Sequence, residues 1–143
     1  MININQFQKI EKYNIIFKLY HIKRKVMESK ISNWSDVTFI PKEVKINVMA
    51  ENISTKEIQI IMAKDSVMKE HKAPFPIHVQ VLKGEIDFEV FGVKKVSHTL
   101  KALDMISLES NVPHSLSAKE DSIVRLSLAK ADSAARVNAV LKK

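Results

Sequence analysis

Ile77-His78-Val79-Gln80-Val81-Leu82-Lys83-Gly84-Glu85-Ile86-Asp87-Phe88-Glu89-Val90 decides the fold class. Ile77, Val79 and Val81 alternate with His78 and Gln80. After Lys83-Gly84, Ile86, Phe88 and Val90 alternate with Glu85, Asp87 and Glu89. A two-residue period puts successive side chains on opposite faces of a strand. Two such runs around one glycine predict an antiparallel hairpin with one apolar face and one wet face.

Working outward, the same pattern recurs on both sides. Val44 to Val48 alternates, Glu51 to Thr55 is a turn, and Glu57 to Ala63 is the next strand. Lys64-Asp65-Ser66 turns again. Gly92 turns into Val93 to Leu100, Met105 to Leu108 is a further strand, Leu116 sits in another, and Val124, Leu126 and Leu128 face one way in the last. Short strands at this spacing predict an all-β sandwich or barrel. Gly84 and Gly92, the two glycines of the chain, both fall at hairpin positions, where a positive φ is useful. Trp34, Val37 and Phe39 belong to an irregular lead-in and are expected to tuck against the barrel. Beyond the last strand, Asp132 or Ser133 caps a short helix with an apolar stripe of Val137, Val140 and Leu141.

Composition narrows the function classes. The chain of 143 residues is 45% hydrophobic and 27% charged, enough for one domain with its own core. It has no cysteine, so disulfides, thiolate metal sites and thiol nucleophiles are excluded, and the cytoplasm is the default location. The net charge of +7 is unevenly spread. Lys9, Lys12, Lys18, Lys23, Arg24 and Lys25 stand against Glu11 alone in residues 1–26, leaving +2 for residues 27–143. A nearly neutral body gives no support to a nucleic-acid partner. No apolar run reaches membrane-spanning length. Residues 1–26 form a basic leader and residues 27–143 a single barrel domain. The leader has two readings: a stretch upstream of a translation start at Met27, or a basic amphipathic helix with Ile15, Leu19, Ile22 and Val26 on one face.

The stretch Glu70-His71-Lys72-Ala73-Pro74, followed by Val81-Leu82-Lys83-Gly84-Glu85, resembles the first motif of small bacterial cupins. Asp104-Met105-Ile106-Ser107-Leu108, followed by Asn111-Val112-Pro113-His114-Ser115-Leu116, resembles the second. The resemblance spans about Val44 to Leu128. It implies a double-stranded β-helix, the jelly-roll barrel, with a central cavity and a homodimeric assembly. Many cupins hold a divalent transition metal through three histidines and one glutamate. Here His71 and His114 match two of those positions, Ala73 stands at the second histidine, and Ile77 stands nearest the glutamate. Leu103 and Asn111 replace the usual glycines. His78 is a third candidate metal ligand, although alternation turns it away from the core unless a bulge near Pro74 or Pro76 re-aims it.

Other candidates have plainer readings. His98 reads as surface. Glu85, Asp87 and Glu89 read as a solvated stripe rather than paired catalytic acids. Arg125 reads as a surface or dimer-contact residue, and Ser115 beside His114 lacks the elbow motif of a nucleophile. Two functions follow. One is a small-molecule-binding or sensing protein with a ligand near His71 and His114. The other is a metal-dependent enzyme of oxygenase or isomerase type built on the same pair. The loss of ligands at Ala73 and Ile77 favours the first.

Overall fold

The computed structural model describes residues 29–130. Among the described residues there are nine strands: β1 (Val44–Glu51), β2 (Thr55–Met62), β3 (Val67–His71), β4 (Ile77–Lys83), β5 (Glu85–Phe91), β6 (Lys95–Lys101), β7 (Met105–Leu108), β8 (His114–Ala118) and β9 (Ser122–Ala129). They form a five-stranded sheet in the order β1-β2-β9-β4-β7 and a four-stranded sheet in the order β3-β8-β5-β6. Every pairing is antiparallel. Chain neighbours β4 and β5 lie in different sheets, so the chain crosses between layers as a jelly roll does. The hairpin expected from Ile77 to Val90 is thus a corner between sheets.

Alternation decides what is buried. Ile77, Val79 and Val81 of β4, Ile60 and Met62 of β2, and Val124 of β9 project inward from one sheet. Ile86 and Phe88 of β5, Leu100 of β6, and Leu116 and Ala118 of β8 meet them from the other. Phe88, Ile86, Val81 and Val124 are fully sequestered. Each large side chain buried this way contributes about 1.5–3 kcal/mol of transfer free energy. On the opposite face of β5, Asp87 pairs with Lys119 at 3.4 Å and Glu89 with Lys95 at 3.1 Å, as a solvated stripe should.

Trp34, Val37 and Phe39 are half-buried in the lead-in. The Trp34 carbonyl accepts a 2.8 Å bond from Gln59 Nε2, whose Oε1 accepts from Asn47 Nδ2 at 3.1 Å. Gln59 is therefore buried yet satisfied.

The two glycines differ. Gly84 has φ +88°, and a Cβ there would run into Ser122 Oγ and the Asp121 carbonyl. Gly92 lacks a positive φ, contrary to the sequence expectation, and a Cβ on it would meet only Lys94 O at 3.8 Å. The turn before β6 spreads over three residues, so none is forced into the left-handed region. That region is used instead by Lys42, Asp65, Leu103 and Asn111, at φ 62°, 67°, 78° and 63°. Leu103 and Asn111, where the resemblance to the family motif implies glycine, thus take up the left-handed backbone that glycine adopts at least cost.

The sequence reading does not assign a strand to Val67–His71, and the structure places β3 there. The basic leader and the short C-terminal helix fall outside the described residues. No helix among the described residues is long and apolar enough to cross a membrane.

Candidate functional site

His71 ends β3 and His114 begins β8, and the register sets them directly opposite each other. Their ring centroids are 4.3 Å apart with planes at 62°. A bulge brings this about. Met68 pairs with Leu116 and His71 with His114, so three steps along β3 match two along β8. The extra residue shifts the phase of β3 and turns His71 to the side of the inward-facing His114. Without it, two-residue alternation from Met68 would face His71 outward.

His114 is buried, and its ring stacks on Phe88 at 5.3 Å with planes 9° apart. His71 is exposed at the rim of the barrel. Burial lowers the His114 pKa below its ordinary 6.5, the bond to the Val112 carbonyl opposes that, and the neighbouring His71 lowers it further. The net effect favours neutral imidazole. His71 Nδ1 lies 2.7 Å from the Lys69 carbonyl and His114 Nδ1 lies 2.9 Å from the Val112 carbonyl. Each ring is thus clamped to the backbone two residues before it.

The loops beside the pair are tied together. Asn111 N–H donates to the Ala73 carbonyl at 2.7 Å, linking the loop after β3 to the loop before β8. Ala73 packs half-buried against the core, and Ile77 is 3% exposed within it. The positions at which the family resemblance implies two further metal ligands are therefore apolar and packed. Among the described residues no group of three or more His, Asp or Glu side chains is placed to hold a metal ion. Two imidazoles do not fit a resident first-row metal, which calls for three or more protein ligands.

The structure does not bring His78 to this pair. The register of β4 is regular from Ile77 to Val81, so the bulge that would re-aim His78 is absent there and the side chain is exposed on the outer face. His78 Nδ1 bonds Ser107 Oγ at 2.8 Å. With Gln80, Met105, Arg125 and Ser127 it lines a shallow pocket of 150 Å³ on the outside of the five-stranded sheet. Arg125 Nε and Ser127 Oγ both donate to Glu57 Oε2, at 3.0 Å and 2.6 Å. Burial works against the Glu57 carboxylate, but the Arg125 and Ser127 bonds, with the Arg125 and His78 charges, outweigh it and hold its pKa low. Arg125 is thus neutralised within its own sheet. Sequence reasoning did not single out Glu57; only the register of β2 with β9 reveals it.

His98 is exposed, as expected, although it pairs with Phe88 and so takes the side of β6 that carries Leu100. Ser115 lies on the face of β8 opposite His114 and forms no relay with it.

No protein-family model matches the chain. No curated protein matches it either. Solved structures do. An RmlC-like cupin from Desulfovibrio desulfuricans is 16% identical with a TM-score of 0.61, covering 71% of this chain and 95% of that one. An RmlC-like cupin from Shewanella frigidimarina is 20% identical at 0.59, covering 72% and 93%. An RmlC-like cupin from Methanocaldococcus jannaschii, described as a double-stranded β-helix, is 15% identical at 0.59, covering 78% and 98%. The chain has the fold of the small single-domain cupins. At these identities the likeness is one of fold.

Proposed function

We propose that this protein binds a small molecule at the rim of the barrel, with His71 and His114 as the polar contacts and Phe88 as part of the apolar floor. The observation that carries the reading is the bulge-directed pairing of an exposed and a buried imidazole beside an apolar interior. A few placed polar groups over an apolar wall is the usual composition of a ligand site. The apolar packing of Ala73 and Ile77 supports binding or sensing over a metal-dependent oxygenase or isomerase.

The same reading takes the chain as a homodimer. Ile46 and Val48 on the edge strand β1 are 57% and 48% exposed, and an apolar sheet edge favours a covering partner. Sizing at low micromolar concentration should return twice the chain mass.

A thermal-shift screen of small neutral and charged molecules tests the binding site. Hits should stabilise the wild type and lose their effect in His71→Ala, which folds because His71 is exposed. Stoichiometric divalent metal in untagged protein, with a fall in melting temperature on chelation, would overturn the reading in favour of the metal-dependent enzyme.

A further inference from the structure

The tautomers of the two histidines are dictated by their neighbours. A backbone carbonyl only accepts hydrogen bonds, so Nδ1 must carry the proton in His71, bonded to Lys69 O at 2.7 Å, and in His114, bonded to Val112 O at 2.9 Å. In a neutral ring whose Nδ1 is protonated, Nε2 is a bare lone pair. When both rings are neutral, the rim of the barrel carries two acceptors on rings 4.3 Å apart and no donor from either ring. His71 is exposed, so its ring stands open to a ligand, while His114 lies behind it against Phe88.

The inward-facing neighbours set the charge the site accepts. Phe88, Leu116 and Val90 on the same sheet face, with Ala73 and Ile77 nearby, are all apolar. Glu70 and Lys72, exposed and of opposite charge, flank His71 in sequence, so the rim presents no single charge to balance an ionic ligand. A carboxylate would meet two lone pairs and no donor. We infer that the ligand is a neutral molecule presenting paired O–H or N–H donors, such as vicinal hydroxyls or a primary amide, on an apolar body. This rests on the proposed binding site at His71 and His114 and adds its ligand class. The neutral state that burial favours for His114 agrees with it.

The test uses the full chain labelled with nitrogen-15 and three probes of matched length: a vicinal hexanediol, hexanoate and hexylammonium. Long-range proton–nitrogen spectra should show protonated Nδ1 and bare Nε2 in both rings. Hexanediol should shift both Nε2 signals and bind about tenfold more tightly than hexanoate, the ratio expected when one or two hydrogen bonds are gained against none, and more tightly than hexylammonium, whose N–H bonds are offset by desolvating an unbalanced charge. In His71→Phe, an exposed position that tolerates the change, hexanediol affinity should fall about tenfold. A bare Nδ1 in either ring would overturn the inference. Equal or tighter binding of hexanoate or hexylammonium at these signals would overturn the ligand class and leave the binding site standing. If none of the probes moves either ring, the binding site itself falls.

Discussion

Alanine at the two glycines should have opposite effects on stability. Gly84 sits at φ +88°, where an L side chain costs about 1–2 kcal/mol. A Cβ there also collides with the Asp121 carbonyl and with Ser122, whose Oγ accepts from Glu85 N at 3.1 Å and bonds Glu120 O at 2.8 Å. Because this is backbone clasped by hydrogen bonds, the overlap cannot be relieved by rotating a side chain, and overpacking adds about 1–3 kcal/mol. Alanine recovers about 0.4–1 kcal/mol through the unfolded chain. Gly84→Ala should therefore lose about 2–4 kcal/mol. Gly92→Ala meets only Lys94 O at 3.8 Å with no positive φ, so the unfolded-state gain survives and the variant gains about 0.4–1 kcal/mol. Urea unfolding followed by circular dichroism measures both, with unchanged slopes as the check on two-state behaviour. Equal effects at the two glycines, or a stable Gly84→Ala, would refute the reasoning.

Ser66 Oγ is buried without a partner, while the Ser66 backbone is held by Ala63 and Ala118. Ser66→Ala should gain about 1 kcal/mol by removing an unpaired hydroxyl, read as a melting temperature about 3–5 °C higher. His114 titrates below its ordinary 6.5 in the folded state, so the unfolded chain binds the proton first. Stability from this residue is complete above that value and is lost as pH falls through the lowered folded pKa. In His114→Gln the slope of stability against pH in that window should flatten, which denaturant titrations at stepped pH would reveal.

The barrel was legible because alternation is a local signal. Ile77 to Val81, Ile86 to Val90 and Val124 to Leu128 each declare an inward face without reference to the rest of the chain. β3 was not legible. Val67, Lys69, Glu70 and His71 are exposed on a short strand with no apolar alternation, and only pairing with β8 makes it a strand. The cupin-like motifs pointed to His71 and His114, but their contact depends on a bulge that no residue type announces. The conformations of Leu103 and Asn111 were equally hidden. Leu103 advertises no positive φ of its own, Asn111 does so only weakly, and the first turn is held by Asp104 N–H to Lys101 O at 2.9 Å. Glu57 escaped notice because its partners Arg125 and Ser127 are 68 and 70 positions away in sequence.

The bond from Asn111 N–H to the Ala73 carbonyl has a kinetic consequence. It spans the loops that leave β3 and enter β8, and the register between those strands holds the two imidazoles on its other side. Separating the rings thus requires breaking a tether on one side or unzipping strands on the other. A rim braced in this way would admit the proposed ligand without a hinge or lid. Association would then be governed by diffusion and orientation rather than by loop opening. The amide of Asn111 would exchange with deuterium in step with the neighbouring strands, marking the rim as part of the barrel's cooperative unit rather than as a fraying loop.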